Sequence, residues 1–204
     1  MEKESSKEKI LQAAEKLFAE KGFNGVGIRE ITAAAAVNSS AVSYYFDGKY
    51  GLYCAVIASK VRMFAEALKD ENIRRMQAKD IICLYAETVI KIHRKYPYFV
   101  RLLYHELLTP TDALRSFAEG ALQPVLQSLR YALQKGRQEG CFSNNIDSDK
   151  AIMMLAGALN FYFLARPIHQ QVIVQDDVFS EQYVHQVLEI FFRGISEVDE
   201  DEKV

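Results

Sequence analysis

Residues 22–53, GFNGVGIREITAAAAVNSSAVSYYFDGKYGLY, decide the fold, because two short helices, a tight corner between them and a third helix are legible in one stretch. Ile28 and Ile31, with Ala34 and Ala35, recur at helical spacing and face a common core. Gly27 just before them closes a turn and starts the helix. The spacing predicts a first short helix from about Ile28 to Ala35. Ala36-Val37-Asn38 then makes the corner, and Ser39 or Ser40 offers a hydroxyl to cap a second helix ending near Phe46. Val42 and Phe46, four apart, turn inward; Ser40, Ser43 and Tyr44 form an outward stripe, with Ala41 and Tyr45 beside it. That is the layout of a helix-turn-helix, whose second helix enters the major groove.

Working outward, Ile10, Leu11, Ala14, Leu17 and Phe18 form the apolar stripe of a helix over Ser6–Lys21, and Gly22 ends it as a C′ glycine does. Asp47 or Gly48 opens a fourth helix through Leu52, Val56, Met63 and Ala67, a lever leading out of the module. The polar run from Lys69 to Lys79 marks a break. Helices are then expected from Asp80 to Lys95, from Tyr98 to Leu108, and from Asp112 to Glu139 with a kink at Pro124. Asp147 or Ser148 caps an apolar helix centred on AIMMLAGALNFYFLA, residues 151–165; a loop covers Arg166 to Asp177, and Ser180 begins the last helix. Few turn formers (4 Pro and 10 Gly) and no Asn-Gly or Asp-Gly hairpin signal favour an all-α chain over a sheet.

Charge adds nothing to the DNA reading. Residues 1–50 hold seven basic and seven acidic side chains, and the whole chain carries a net −2. Cys54, Cys83 and Cys141 have no paired or metal-type spacing and read as reduced, mostly buried thiols of a cytoplasmic protein. The charged N-terminus lacks the apolar core of an export signal. The apolar run at 151–165 spans about 22 Å as a helix, too short for a bilayer. It is expected to be buried on nearly all sides, as at a subunit interface. Residues 197–204 form an acidic tail.

Gly22-Phe23, Ile31-Thr32, Val37, Tyr44-Tyr45-Phe46, Lys49 and Leu52 stand in the register of the TetR-type transcriptional regulators, which residues 4–64 resemble. Ala36 stands where that family usually has Gly, Ser40 where Gly or Lys is common, and Ser43 where a Tyr is customary. The recognition helix is most similar to members with a CecR-like C-terminal half. The resemblance implies an N-terminal three-helix module (4–64, with its helix-turn-helix motif at about 27–46), joined by the long fourth helix to a larger helical ligand-binding and dimerisation domain (65–196). It implies further a repressor that binds a palindromic operator as a homodimer and answers to a small-molecule effector of unknown identity, with no cofactor and no membrane. The DNA-facing set is Gly27, Arg29, Asn38, Ser39, Ser40, Ala41, Ser43, Tyr44, Tyr45 and Lys49. Asn38 is the one residue at the corner able to grip adenine with two bonds.

Catalysis finds little footing. His105-Glu106 opens HELLT, which lacks the second His of a zinc-protease helix, and no phosphate loop, nucleophile elbow or metal-ligand set is present. Neither an enzyme nor a metal protein is expected. Aromatics with a few polar groups in the second half form a candidate effector pocket instead: Tyr85, Arg101, Tyr104, His105, Phe117, Asn160, Phe161 and Tyr162. Asn160 carries most weight, because an amide in an apolar run must find a partner. The competing reading is a protein-interaction module that kept the fold and lost DNA binding, motivated by the neutral charge and by Ser43.

Overall fold

A computed structural model of the protein describes residues 5–69, 73–112, 122–169 and 177–196, and every regular element named in them is an α-helix. The chain divides into two compact units, residues 1–63 with 92–123 and residues 64–91 with 124–204. The first unit therefore takes in a segment beyond the first 64 residues, inside the stretch assigned above to the second domain.

In the first unit α1 (Ser6–Lys21) begins at a capping box, Ser5 Oγ accepting from the Glu8 N–H at 3.3 Å and the Glu8 carboxylate accepting from the Ser5 N–H at 2.9 Å. These bonds hold the Glu8 carboxyl below its usual range. Ile10, Ala14 and Phe18 are buried and Gly22 closes the helix with φ +71°. Then come α2 (Ile28–Ala34), α3 (Ser40–Phe46), the start of α4 (Lys49–Ala67), the end of α5 (Ala78–Lys95) and α6 (Phe99–Leu108). α1 packs on α2, α3 and α6. Phe18 meets Tyr53 edge-on at 4.9 Å, and Phe23 lies 5.0 Å from the same ring, so one aromatic cluster joins α1 to α4. Truncating Phe18 to Ala is expected to cost about 3–5 kcal/mol.

The second unit holds the rest of α4 and α5, α7 (Gln123–Gln138), α8 (Ser148–His169) and α9 (Asp177–Ile195). Ile81, Ile82, Tyr85 and Val89 of α5, Val125, Leu129 and Leu133 of α7, and Leu155 and Leu159 of α8 make its core. Gly136 lets α7 approach the following loop: a Cβ there would stand 2.0 Å from the buried Phe142 ring, itself stacked on Phe192 at 6.2 Å. Arg137 donates to Ile146 O at 2.5 Å and Ser148 Oγ at 3.0 Å, binding that loop to the start of α8.

Several boundaries differ from the sequence reading. α8 continues to His169 and α9 starts at Asp177, so both ends of the expected loop over Arg166–Asp177 are helical, and residues 170–176 lie outside the described residues. Pro124 falls in the first turn of α7, where a missing N–H costs nothing, and the start of the helix expected from Asp112 lies largely in 113–121, outside the described residues. The polar run taken as a break contains Ile73, which is fully buried. The apolar helix is not enclosed within one chain: Met153, Met154 and Phe161 are exposed. The three cysteines are free thiols but half-buried. The acidic tail at 197–204 lies outside the described residues.

Candidate nucleic-acid interface

The corner is built by backbone. Gly27 O accepts from the N–H groups of Glu30 (3.1 Å) and Ile31 (3.2 Å), starting α2. Ile31, Thr32 and Ala35 are buried, while Ala34, expected in the core, is exposed and Ile28 is half-buried. Thr32 takes the inward place because its hydroxyl is satisfied locally, donating to Ile28 O at 3.0 Å. Ala36 adopts φ +53° and the Val37 N–H returns to Thr32 O at 3.0 Å, turning the chain.

Capping of α3 departs from expectation. Ser39 occupies the N-cap position without a side-chain cap bond; Asn38 Oδ1 instead accepts from the Ser40 N–H at 3.0 Å and the Ser40 hydroxyl at 3.1 Å. In this arrangement the Asn38 amide oxygen accepts two bonds at the corner, and the two-bond adenine grip read for Asn38 would require it to release them. A serine run hides this, because any of three polar residues can cap.

Val42 and Phe46 are buried under α3, Ala41 is half-buried, and Ser39, Ser40, Ser43, Tyr44 and Tyr45 are exposed. Tyr44 is 82% and Tyr45 41% exposed, their rings edge-to-face at 4.9 Å, so two phenols stand out from the end of the helix. Asp47 in the left-handed region ends the helix. Lys49 then starts α4 with its Nζ 4.5 Å from the Phe23 ring centroid, a cation–π contact that steadies the ammonium. Arg29 is exposed on α2, beside Glu30, which is ion-paired with Lys21 at the end of α1. The surface thus combines hydroxyls, two phenols, one lysine and one arginine.

Against this geometry the known proteins can be set. Residues 10–56 match the model of bacterial regulatory proteins of the tetR family, and residues 79–193 match the tetracyclin repressor-like C-terminal domain. The chain belongs to the TetR family. It is 28% identical over 196 residues to the HTH-type transcriptional regulator RutR of Escherichia coli strain K12, covering 94% of this chain and 91% of that one. The HTH-type transcriptional repressor NicS of Pseudomonas putida is 25% identical over 166 residues, 77% of this chain and 75% of that one. A solved TetR-like fold, the transcriptional regulator FadR of Bacillus subtilis in complex with stearoyl-CoA, superposes with a TM-score of 0.74 at 21% identity, covering 92% of this chain and 98% of that one. It shares the fold: an N-terminal helix-turn-helix with a helical C-terminal domain.

The residues suggested for an effector pocket of this TetR-family chain are divided between the two units. Tyr85 and Asn160 come together in the second unit, where Tyr85 is buried and shares a hydrogen bond with Asn160, and burial pushes its hydroxyl up to about 12. Asn160 also donates to Ala156 O at 2.8 Å. Tyr162 is buried and stacks on Tyr183 at 4.5 Å, whereas Phe161 is exposed. Arg101, Tyr104 and His105 lie on α6 in the first unit, Arg101 exposed and the others half-buried. Phe117 lies outside the described residues. The second unit also has a cleft of about 640 Å³ lined by Leu68, Lys69, Arg74, Pro124, Ser128 and Tyr131, none of them among the pocket residues read from the sequence. Lys69 and Arg74 sit in the polar run, and nothing in its pattern separates a cleft wall from a linker. Among the described residues no helix is long and apolar enough to cross a membrane, and no group of three or more His, Cys, Asp or Glu is placed to hold a metal.

Proposed function

We propose that this TetR-family regulator is a ligand-responsive repressor that acts as a homodimer on a palindromic operator in the cytoplasm and catalyses no reaction. One observation carries it: the outer face of α3 offers only short polar and phenolic groups to a groove, over an inner face locked by Val42 and Phe46. Gly27, Arg29, Ser39, Ser40, Ala41, Ser43, Tyr44, Tyr45 and Lys49 make the DNA contacts, with Asn38 shaping the corner. Dimerisation is supported by Met153, Met154 and Phe161 of α8 and Ile190 of α9, large apolar side chains exposed on the single chain. The effector binds in the second unit, supported by the ligand-sized cleft and by the buried Tyr85–Asn160 pair. The FadR relative is named with a bound acyl-CoA, but the cleft here does not name its ligand. Ligand binding shifts the population between dimers that span two half-sites and dimers that do not.

Selection of duplexes from a random library by the purified protein, with sedimentation of the same sample, tests this reading. A two-fold symmetric motif bound by a dimer is expected. Enrichment of no duplex favours the second reading, an interaction module on the same fold, to which the balanced charge of residues 1–50 lends support.

A further inference from the structure

In the first unit three chain segments meet at one buried carboxylate. Glu106 of α6 is 2% exposed, and its oxygens accept from the Tyr53 hydroxyl of α4 at 2.5 Å and, in the segment after α6, from the Thr111 N–H at 3.2 Å and the Thr111 hydroxyl at 3.0 Å. These donors are neutral, so directional hydrogen bonds rather than a point charge hold the carboxylate. Tyr53 is itself buried, with its ring against Phe18 of α1 and Phe23 of the α1–α2 connection. Burial, with the bond to Glu106, raises its hydroxyl well above the ordinary tyrosine range, which keeps it a donor. Beside the network a cavity of about 200 Å³ lies among Gly22, Phe23, Asn24, His105 and Thr109, where the end of α1 faces α6. Dispersion does not fix a register across a gap. Hydrogen bonds of defined length and direction do.

We propose that Glu106 is a positioning residue for operator binding: through Tyr53 it sets how α4 and α1 lie on α6, and α1, packed on α3, carries that setting to the reading surface. This rests on the DNA-reading role above. It assigns to a carboxylate that touches no DNA a share of operator affinity separate from its share of stability.

The test uses full-length wild type, Tyr53→Phe, Glu106→Gln and the double variant, on the duplex selected by wild type, at a temperature where all four are folded by circular dichroism. Tyr53→Phe keeps the ring packing and removes only the donor, so it suffices if Glu106→Gln does not fold. Each single variant is expected to bind about tenfold more weakly. Each is also expected to show a shallower dependence of affinity on salt, because a tilted reading surface neutralises fewer phosphates. The double variant should be no weaker than the weaker single one, since both break one link. Lowered melting temperatures with wild-type affinity and salt slope overturn the proposal and leave Glu106 a fold-stabilising group only. If wild type itself enriches no duplex, the failure belongs to the regulatory reading on which the proposal stands.

Discussion

Ala36 holds φ +53° at the corner before α3, a left-handed conformation that costs an L-residue with a Cβ about 1–2 kcal/mol. Glycine pays no such cost there, although it loses more entropy on folding. Ala36→Gly is therefore expected to leave stability unchanged or raise it by up to about 1 kcal/mol, some 2–4 °C in melting temperature, against the loss that Ala→Gly gives within a helix. Calorimetry reads the sign. Lys49 Nζ lies 4.5 Å from the Phe23 ring centroid at the start of α4, and the proposed DNA-reading role makes it a phosphate anchor. Phosphate contacts position the protein without reading sequence. Lys49→Ala should weaken all operator variants alike and lower the salt slope by about one unit, and a change in which base is preferred would show the anchor to be a reader.

At the scale of the element, α3 presents no Arg, Gln or Lys able to discriminate guanine with two bonds, and the Asn38 amide oxygen accepts from the Ser40 N–H at its start. On the proposed DNA-reading role, base preference would rest on Ser40, Ser43 and the Ala41 methyl, with Arg29 of α2 as the one long cation of the candidate reading set besides Lys49. An operator motif spread over many positions is expected, each worth nearer 1 than 3 kcal/mol, with DNA shape adding at uncontacted steps. Random-library selection that returns one or two invariant G·C pairs per half-site, unmoved by Arg29→Ala, contradicts this. α7 offers a test of packing: Gly136→Ala improves helix propensity by about 1 kcal/mol yet drives a methyl into Phe142, so a net loss of about 1–2 kcal/mol in urea unfolding is expected. Tyr85 of α5 gives a pH dependence with a defined sign. Below pH 10 both folded and unfolded chains keep the phenol proton, so its contribution is whole; between 10 and about 12 only the unfolded chain loses it, and stability falls. Tyr85→Phe should remove roughly 2 kcal/mol of that alkaline loss, measured as the difference between urea curves at pH 8 and 11.5.

For the whole molecule, Met153, Met154, Phe161 and Ile190 are large apolar side chains exposed on the single chain, and they are the ones the proposed dimer would cover. Met154→Asp should shift sedimentation toward the monomer and abolish binding to a two-half-site duplex while the melting of the monomer changes little; a dimer that survives it places the interface elsewhere. Asn160 separates the interior from that interface. Asn160→Leu removes the hydrogen bond to the Tyr85 hydroxyl, so stability is expected to drop by about 1–3 kcal/mol with the proposed dimer intact. Unchanged stability with a lost dimer would instead make Asn160 a contact to a second copy.

What the sequence determined by itself was local and periodic. The Ser6–Lys21 helix, the corner at 36–38 and the inward pair Val42 and Phe46 follow from spacing and capping chemistry that act within a few residues. The outward set on α3 follows as the complement of that inward pair. The tertiary structure alone decided which polar group caps α3, that α6 belongs with the first unit, and that Arg101, Tyr104 and His105 fall in a different unit from Tyr85 and Asn160. It alone found Glu106, which in HELLT looks like a failed metal motif and in the fold accepts bonds from residues 53 and 111. Periodicity tells which side of a helix is dry; it does not tell which distant hydroxyl will meet a carboxylate there, because that depends on how the helices cross.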